Sequence, residues 1–289
     1  MPYHALHDHP PLKPAFCERE YNNLALIPDH LEVMARWKAD AQLARRTQAA
    51  QLDLRYGPRP GETLDFFPSR RLGAPLFVFI HGGYWKALDK ADFSWVAPAL
   101  VARGAAVAVV NYGLAPETPL EAITYQMLNA HAWLYQQAAA LGFDANRIFT
   151  GGHSAGGHLT AMMLGARWQQ WQPQLPEHLV KGGLAISGLF DLEPLAYAPF
   201  LSTLGLTPER IRTLSPAYFV PDEPLPLVTA VGGAETSEFI RQTEMMSVLW
   251  KHSIEECLIL EGLDHLGVCT ALGEPDSRLV QAACRLMRL

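Results

Sequence analysis

Several features common in other classes of protein are missing from this sequence. Its 289 residues include only four cysteines, Cys17, Cys257, Cys269 and Cys284, and no two of them form a C-x-x-C pair. This scatter matches neither a zinc site nor a disulfide framework, so we expect free thiols in a reducing compartment. No apolar run reaches the roughly 18 residues of a membrane span, and no signal-peptide pattern opens the chain. We therefore expect a cytoplasmic protein with no membrane partner.

Basic and metal-binding patterns are also scarce. The net charge is -6 and no long basic run occurs, which argues against a nucleic-acid partner. No H-E-x-x-H motif is present and the candidate ligands are dispersed, so we expect no metal and no cofactor. We interpret His4, His7 and His9 as part of a solvated leader over residues 1–20 rather than as a metal site.

What the sequence does contain is the pattern of a layered α/β fold. Six short apolar runs, without strict alternation, predict strands covered on both faces, as in a mostly parallel sheet. Helix-like stretches separate them, which predicts helices on both faces of the sheet. The runs are residues 76–80, 105–110, 147–150, 183–186, 225–231 and 257–260, and the helical stretches are 93–103, 119–142, 155–168 and 237–252.

Three further boundaries follow from composition. A capping-box pattern from Asp29 to Glu32 predicts a helix that runs to about Gln51. The proline-rich residues 193–224 predict a small cap-like insertion over the sheet edge, before the strand predicted at 225–231. We expect residues 21–289 to form a single domain.

Small residues crowd around one serine. Gly152-His-Ser-Ala-Gly156 is a G-x-S-x-G pattern between a predicted strand and a predicted helix. This arrangement is typical of a nucleophile elbow, in which a strained turn presents the serine and side chains two residues away would collide with backbone. We interpret Ser154 as a nucleophile. The alternative is a glycine-rich turn whose serine only caps the helix.

A nucleophilic serine needs a base, and histidine suits this role because its pKa lies near neutrality. His265 follows the last predicted strand, at the sheet edge expected to carry ligands. We expect His153 and His158 to pack locally, since one adjoins Ser154 and the other lies one turn into the helix.

The base needs a carboxylate to orient it. In the order serine, acid, histidine, the acid follows the strand at 225–231, and Glu235 lies in that loop. Glu238 remains an alternative, although its place in a first helical turn has an ordinary explanation. Asp191 and Asp264 are weaker candidates.

His81-Gly-Gly-Tyr-Trp85 follows the first strong strand. Its glycines let backbone amides approach a developing oxyanion, and we expect the donors to be the amides of Gly83, Tyr84 and Ala155. Gly82, Trp85 and Phe190 are our candidates for substrate binding, and Tyr84, Tyr197 and Phe200 are further aromatic candidates.

The sequence resembles the kynurenine formamidase (arylformamidase)-like branch of the α/β-hydrolase superfamily. The similarity lies in the motifs at residues 81–85, 152–159 and 262–265, in Glu20-Tyr-Asn-Asn23, and in the residues at 235–239. The stretch Asn111-Tyr-Gly-Leu-Ala-Pro-Glu117 is also similar to hormone-sensitive-lipase-like esterases. A glutamate at the acid position departs from the aspartate that is commoner in these families.

The resemblance implies the α/β-hydrolase fold, with Ser154 as nucleophile, His265 as base and Glu235 as acid. It also implies a serine hydrolase that cleaves a small ester or aryl formamide through an acyl-enzyme. Two alternatives remain: a short-chain carboxylesterase without a formamidase role, and a non-catalytic binding protein on the same scaffold. A homodimer is the assembly we would test for.

Overall fold

The computed structural model describes residues 12–289. Within them, eight strands form one sheet in the order β1-β2-β4-β3-β5-β6-β7-β8. Strands β3 to β8 are mutually parallel, whereas β2 pairs antiparallel with both β1 and β4. The strands are β1 Gln51–Arg55, β2 Thr63–Phe67, β3 Ala74–Ile80, β4 Ala106–Val110, β5 Phe143–His153, β6 Val180–Ile186, β7 Leu227–Gly232 and β8 Ile254–Leu260.

Helices cover both faces of this sheet. Side chains alternate along a strand, so Leu76 and Val78 of β3 enter one buried core while Phe77 and Phe79 enter the other. The predicted mostly parallel α/β architecture and its six parallel strands are confirmed. The expectation that all six are covered on both faces was wrong for β8, which is an edge strand with alternating exposed residues. The helices are α1 Pro14–Tyr21, α2 His30–Thr47, α3 Ala97–Arg103, α4 Leu120–Leu141, α5 Ala155–Leu164, α6 Trp168–Trp171, α7 Pro208–Leu214, α8 Ser237–Leu249, α9 His265–Thr270 and α10 Arg278–Met287.

Three boundary predictions were wrong. Helix α2 ends at Thr47 and β1 begins at Gln51, where a helix was expected to end. The leader was expected to be a solvated tail over residues 1–20, but helix α1 begins at Pro14 and buries Cys17; His4, His7 and His9 lie outside the described residues. The insertion at 193–224 was expected over the sheet edge, whereas it connects the internal strands β6 and β7 and packs into the core.

The insertion is also part of the packed interior. Leu201, Leu204 and Leu214 are buried in the same core as β3 and α5. In the part of the chain that the structure describes, none of the helices combines the length and the hydrophobicity needed to span a bilayer.

Candidate functional site

Ser154 lies in a sharp turn between β5 and α5. Its backbone has φ 58° and ψ -115°, a region that non-glycine residues rarely adopt. The turn is possible because its flanking residues are small: a Cβ on Gly156 would lie 1.9 Å from the Ile80 carbonyl oxygen, and one on Gly152 would lie 2.4 Å from the Gly156 oxygen. The serine is thereby held at the carboxyl end of the parallel strands, beside the N-terminus of α5.

A histidine and a glutamate form a close pair at the same edge of the sheet. His265 is the first residue of α9, and its Nδ1 lies 2.6 Å from Oε2 of Glu235 in the loop after β7. The other carboxylate oxygen accepts hydrogen bonds from the Ser187 hydroxyl at 2.5 Å and from the Gly232 backbone N–H at 2.8 Å. The Glu235 side chain is fully buried, so its orientation is fixed by three polar contacts.

The rival carboxylates have other partners. Glu238 receives hydrogen bonds from Tyr21 at 2.7 Å and from Arg241 at 2.8 Å. Asp264 accepts hydrogen bonds from two backbone N–H groups at the start of α9 and so caps that helix. Asp191 faces Arg241 at 3.9 Å. Of the acids considered from sequence, Glu235 is the one that the structure brings to His265.

Two rings hold the His265 imidazole in place. The ring of His153 lies 4.4 Å from it and that of Phe239 4.7 Å, centroid to centroid. Burial, followed by the charge of His265, lowers the pKa of His153 well below its ordinary value, so His153 stays neutral. Within residues 12–289, no direct hydrogen bond joins the Ser154 hydroxyl to His265, although both line one cavity. Such contacts are commonly long before substrate binds.

The 81–85 loop packs directly against the serine. A Cβ on Gly82 would lie 3.2 Å from that of Ser154. The buried His81 ring anchors this loop by stacking on Tyr112 at 4.2 Å, and the Tyr112 hydroxyl donates to the His81 carbonyl at 2.9 Å. Burial lowers the pKa of His81, which favours the neutral ring.

Three backbone amides near the serine are free. Within the described part of the chain, the N–H groups of Gly83, Tyr84 and Ala155 have no hydrogen-bond acceptor. Tyr84 has φ 51°, so the backbone departs from ordinary strand or helix geometry at this loop. These are the amides that we predicted from the sequence as oxyanion donors. Because each N–H is free to donate, the three amides could bind a developing oxyanion.

Ser154 and His265 open onto a cavity of about 210 Å³. Its wall is mainly apolar, and Gly82 and Phe200 belong to it as expected. The expected contributions of Trp85 and Phe190 were wrong, because both side chains are fully buried in the core and neither lines the cavity. Trp85 has φ 56° and packs its ring edge-on against His158. Tyr197, also considered from sequence, is half-exposed and does not line the cavity.

Part of the wall was not predicted at all. It comes from the segment after α1, from α2 and from the turn before α3: Asn22, Asn23, Leu24, Met34, Trp37 and Phe93. The Asn-Asn pair of the Glu20–Asn23 motif was the one sequence signal pointing to it. No group of three or more His, Cys, Asp or Glu side chains in residues 12–289 is arranged to hold a metal ion.

Comparisons with known proteins support the fold and identify the family. A family model described as the alpha/beta hydrolase fold matches residues 77–249. A kynurenine formamidase of Salmo salar is 29% identical over 91% of this chain and 89% of its own, and one of Danio rerio is 31% identical over 72% and 71%. A crystal structure from Silicibacter sp. TM1040, provisionally assigned as a thioesterase, is 32% identical with a TM-score of 0.81, covering 91% of this chain and 97% of that one.

Proposed function

This chain belongs to the alpha/beta hydrolase family, in its kynurenine formamidase-like branch. From that membership we propose that it is a serine hydrolase that cleaves aryl formamides with a Ser154-His265-Glu235 triad. That it is a hydrolase of the arylformamidase or esterase type follows from its relatives. The observation that carries the triad is the 2.6 Å contact between His265 and Glu235 at a cavity shared with the strained Ser154.

Each residue has one role in the proposed reaction. Ser154 Oγ attacks the substrate carbonyl carbon while His265 Nε2 takes the hydroxyl proton. The Glu235 carboxylate holds the proton on Nδ1, which leaves Nε2 free to accept, and it stabilises the imidazolium that forms. The amides of Gly83, Tyr84 and Ala155 bind the tetrahedral oxyanion, and losing one such donor typically costs about 3–4 kcal/mol of transition-state stabilisation.

The intermediate then collapses with cleavage of the C–N bond of the formamide. The leaving amine takes the proton from His265, and Ser154 is left as a formyl ester. A water molecule gives its proton to His265 and attacks this ester, which releases formate and restores the hydroxyl. The cavity, with its aromatic wall of Trp37, Tyr84, Phe93 and Phe200, suits an aryl leaving group.

The test is the Ser154→Ala variant, assayed with N-formylkynurenine and with p-nitrophenyl acetate. We expect turnover of both substrates to fall by about 10⁴-fold or more, and labelling by a fluorophosphonate probe to be lost. Unchanged turnover in a folded variant contradicts the mechanism. Turnover of the ester alone by the unaltered enzyme leaves the triad standing and points to a carboxylesterase.

A further inference from the structure

Asn23 is a buried polar side chain in the wall of the catalytic cavity that the mechanism above does not use. It lies in the 3₁₀ turn after α1 and is 5% exposed. Its Nδ2 has no hydrogen-bond partner within residues 12–289. The neighbouring Asn22 differs, since its Nδ2 donates to Glu18 at 3.2 Å. A buried amide without a partner is unfavourable, so its presence at a substrate cavity calls for a ligand.

Position distinguishes Asn23 from most other unpartnered polar atoms in the protein. Among the described residues with such buried side-chain atoms, only Asn23 and His153 line the cavity that holds Ser154. His153 already has a place in the site, since its ring packs against that of His265. Asn23 takes no part in the proposed proton transfers, so its position at the cavity needs another explanation. Around it the wall is formed by apolar side chains such as Leu24, Met34 and Trp37.

The backbone that carries Asn23 is firmly held. The Glu20 carbonyl accepts a hydrogen bond from Thr236 at 2.7 Å, and the Tyr21 carbonyl accepts one from the Tyr84 hydroxyl. Both donors belong to loops that form the active site. The backbone of Asn23 is therefore fixed relative to the serine and the oxyanion loop. A residue that selects substrates by a hydrogen bond must be held in position in this way.

We propose that Asn23 determines substrate specificity by donating a hydrogen bond from Nδ2 to an acceptor oxygen of the substrate other than the scissile carbonyl. The proposal rests on the proposed function, because it places a substrate in the same cavity. Nδ2 is itself closed to solvent, so this donation requires the amide to turn about its Cβ–Cγ bond when the substrate binds. The substrate class is then a small aryl amide or ester with a ketone or carboxylate oxygen on its leaving group.

The experiment compares two substrates that differ in one oxygen. They are 2-formamidoacetophenone, which carries a ketone, and N-formyl-2-isopropylaniline, an apolar isostere. We expect the unaltered enzyme to prefer the ketone by at least about tenfold in kcat/KM, because a site that binds a polar group disfavours analogues without it. The Asn23→Leu variant should lose this preference, because its kcat/KM should fall much further on the ketone substrate than on the isostere.

Asn22→Leu is the matched comparison. It also alters the cavity wall, but the Asn22 amide already donates to Glu18, so the ratio of the two kcat/KM values should stay near that of the unaltered enzyme even where both values change. Equal loss on both substrates in Asn23→Leu indicates a structural role and overturns the proposal, as does an unchanged preference. The acetate esters of 2-hydroxyacetophenone and 2-isopropylphenol repeat the comparison if the enzyme cleaves esters only. Calorimetry compares the binding of 2-aminoacetophenone, which carries the ketone, with that of 2-isopropylaniline, which lacks it. Because this measurement does not depend on turnover, it separates failure of the triad mechanism from failure of this proposal.

Discussion

Replacing Glu235 by Gln tests the triad at its most constrained contact. The Gly232 backbone N–H, 2.8 Å from the carboxylate, can only donate, so the glutamine must present its oxygen to Gly232. Its NH₂ then faces Nδ1 of His265, where the carboxylate oxygen lies at 2.6 Å. Because this NH₂ donates, Nδ1 must lose its proton and Nε2 must carry one. The ring is then in the tautomer that cannot accept the proton of Ser154.

We expect kcat to fall by about 10⁴-fold, equivalent to about 5 kcal/mol, as found for wrong-tautomer variants of other serine hydrolases. The assay is steady-state hydrolysis, with thermal unfolding to show that the variant is folded. Glu238→Gln is the control: it weakens the contacts with Tyr21 and Arg241 and lowers stability, but it should keep kcat within about tenfold. A folded Glu235→Gln enzyme that retains more than a tenth of kcat, or loses no more than the control, refutes the reasoning.

Two further predictions concern stability. Gly156→Ala should lower the free energy of unfolding in urea by about 3 kcal/mol or more, because its Cβ would overlap the Ile80 carbonyl. Gly142→Ala should lower it by only about 1 kcal/mol, since the added Cβ meets nothing within 4 Å. Similar losses of stability at both sites would contradict this reasoning. Burial lowers the pKa of His131 and His158 to about 4. Below about pH 6.5, the ordinary pKa of histidine, the unfolded chain therefore binds more protons than the folded protein. The contribution of these rings to the free energy of unfolding should be fully present above about pH 6.5 and should fall toward pH 4 by up to about 1.4 kcal/mol per pH unit per ring. Urea unfolding at pH 7, 6 and 5 measures this dependence. If His131→Leu leaves the dependence on pH as steep as before, the explanation is wrong.

The sequence predicted the elements whose physical signal is local. Strands β3 to β7 appear as continuous apolar runs because both of their faces are covered. The run at 257–260 marks β8, although that edge strand is covered on one face only. The strand β1 escaped prediction because it is an edge strand with a mostly exposed, mixed polar pattern, and helix-favouring residues precede it. Ser154 was recognisable because the turn excludes side chains at fixed spacing.

The cavity wall was less predictable because it depends on long-range packing. Trp85 directly follows the proposed oxyanion donor Tyr84 in sequence, yet it has a positive φ and its ring is buried in the core. Trp37 reaches the cavity from α2, more than one hundred residues from the serine, and no local pattern encodes that contact. The choice of Glu235 over Glu238 was correct as to which carboxylate contacts His265; its catalytic role remains a prediction.

The N-terminal segment supplies part of the cavity wall but none of the groups assigned to bond cleavage. The groups assigned to bond cleavage lie on loops of the sheet between residues 81 and 265, while Asn22, Asn23, Leu24, Met34 and Trp37 come from before the first strand. Exchange of those opening residues between related enzymes should therefore retarget the enzyme to new compounds without rebuilding its chemistry.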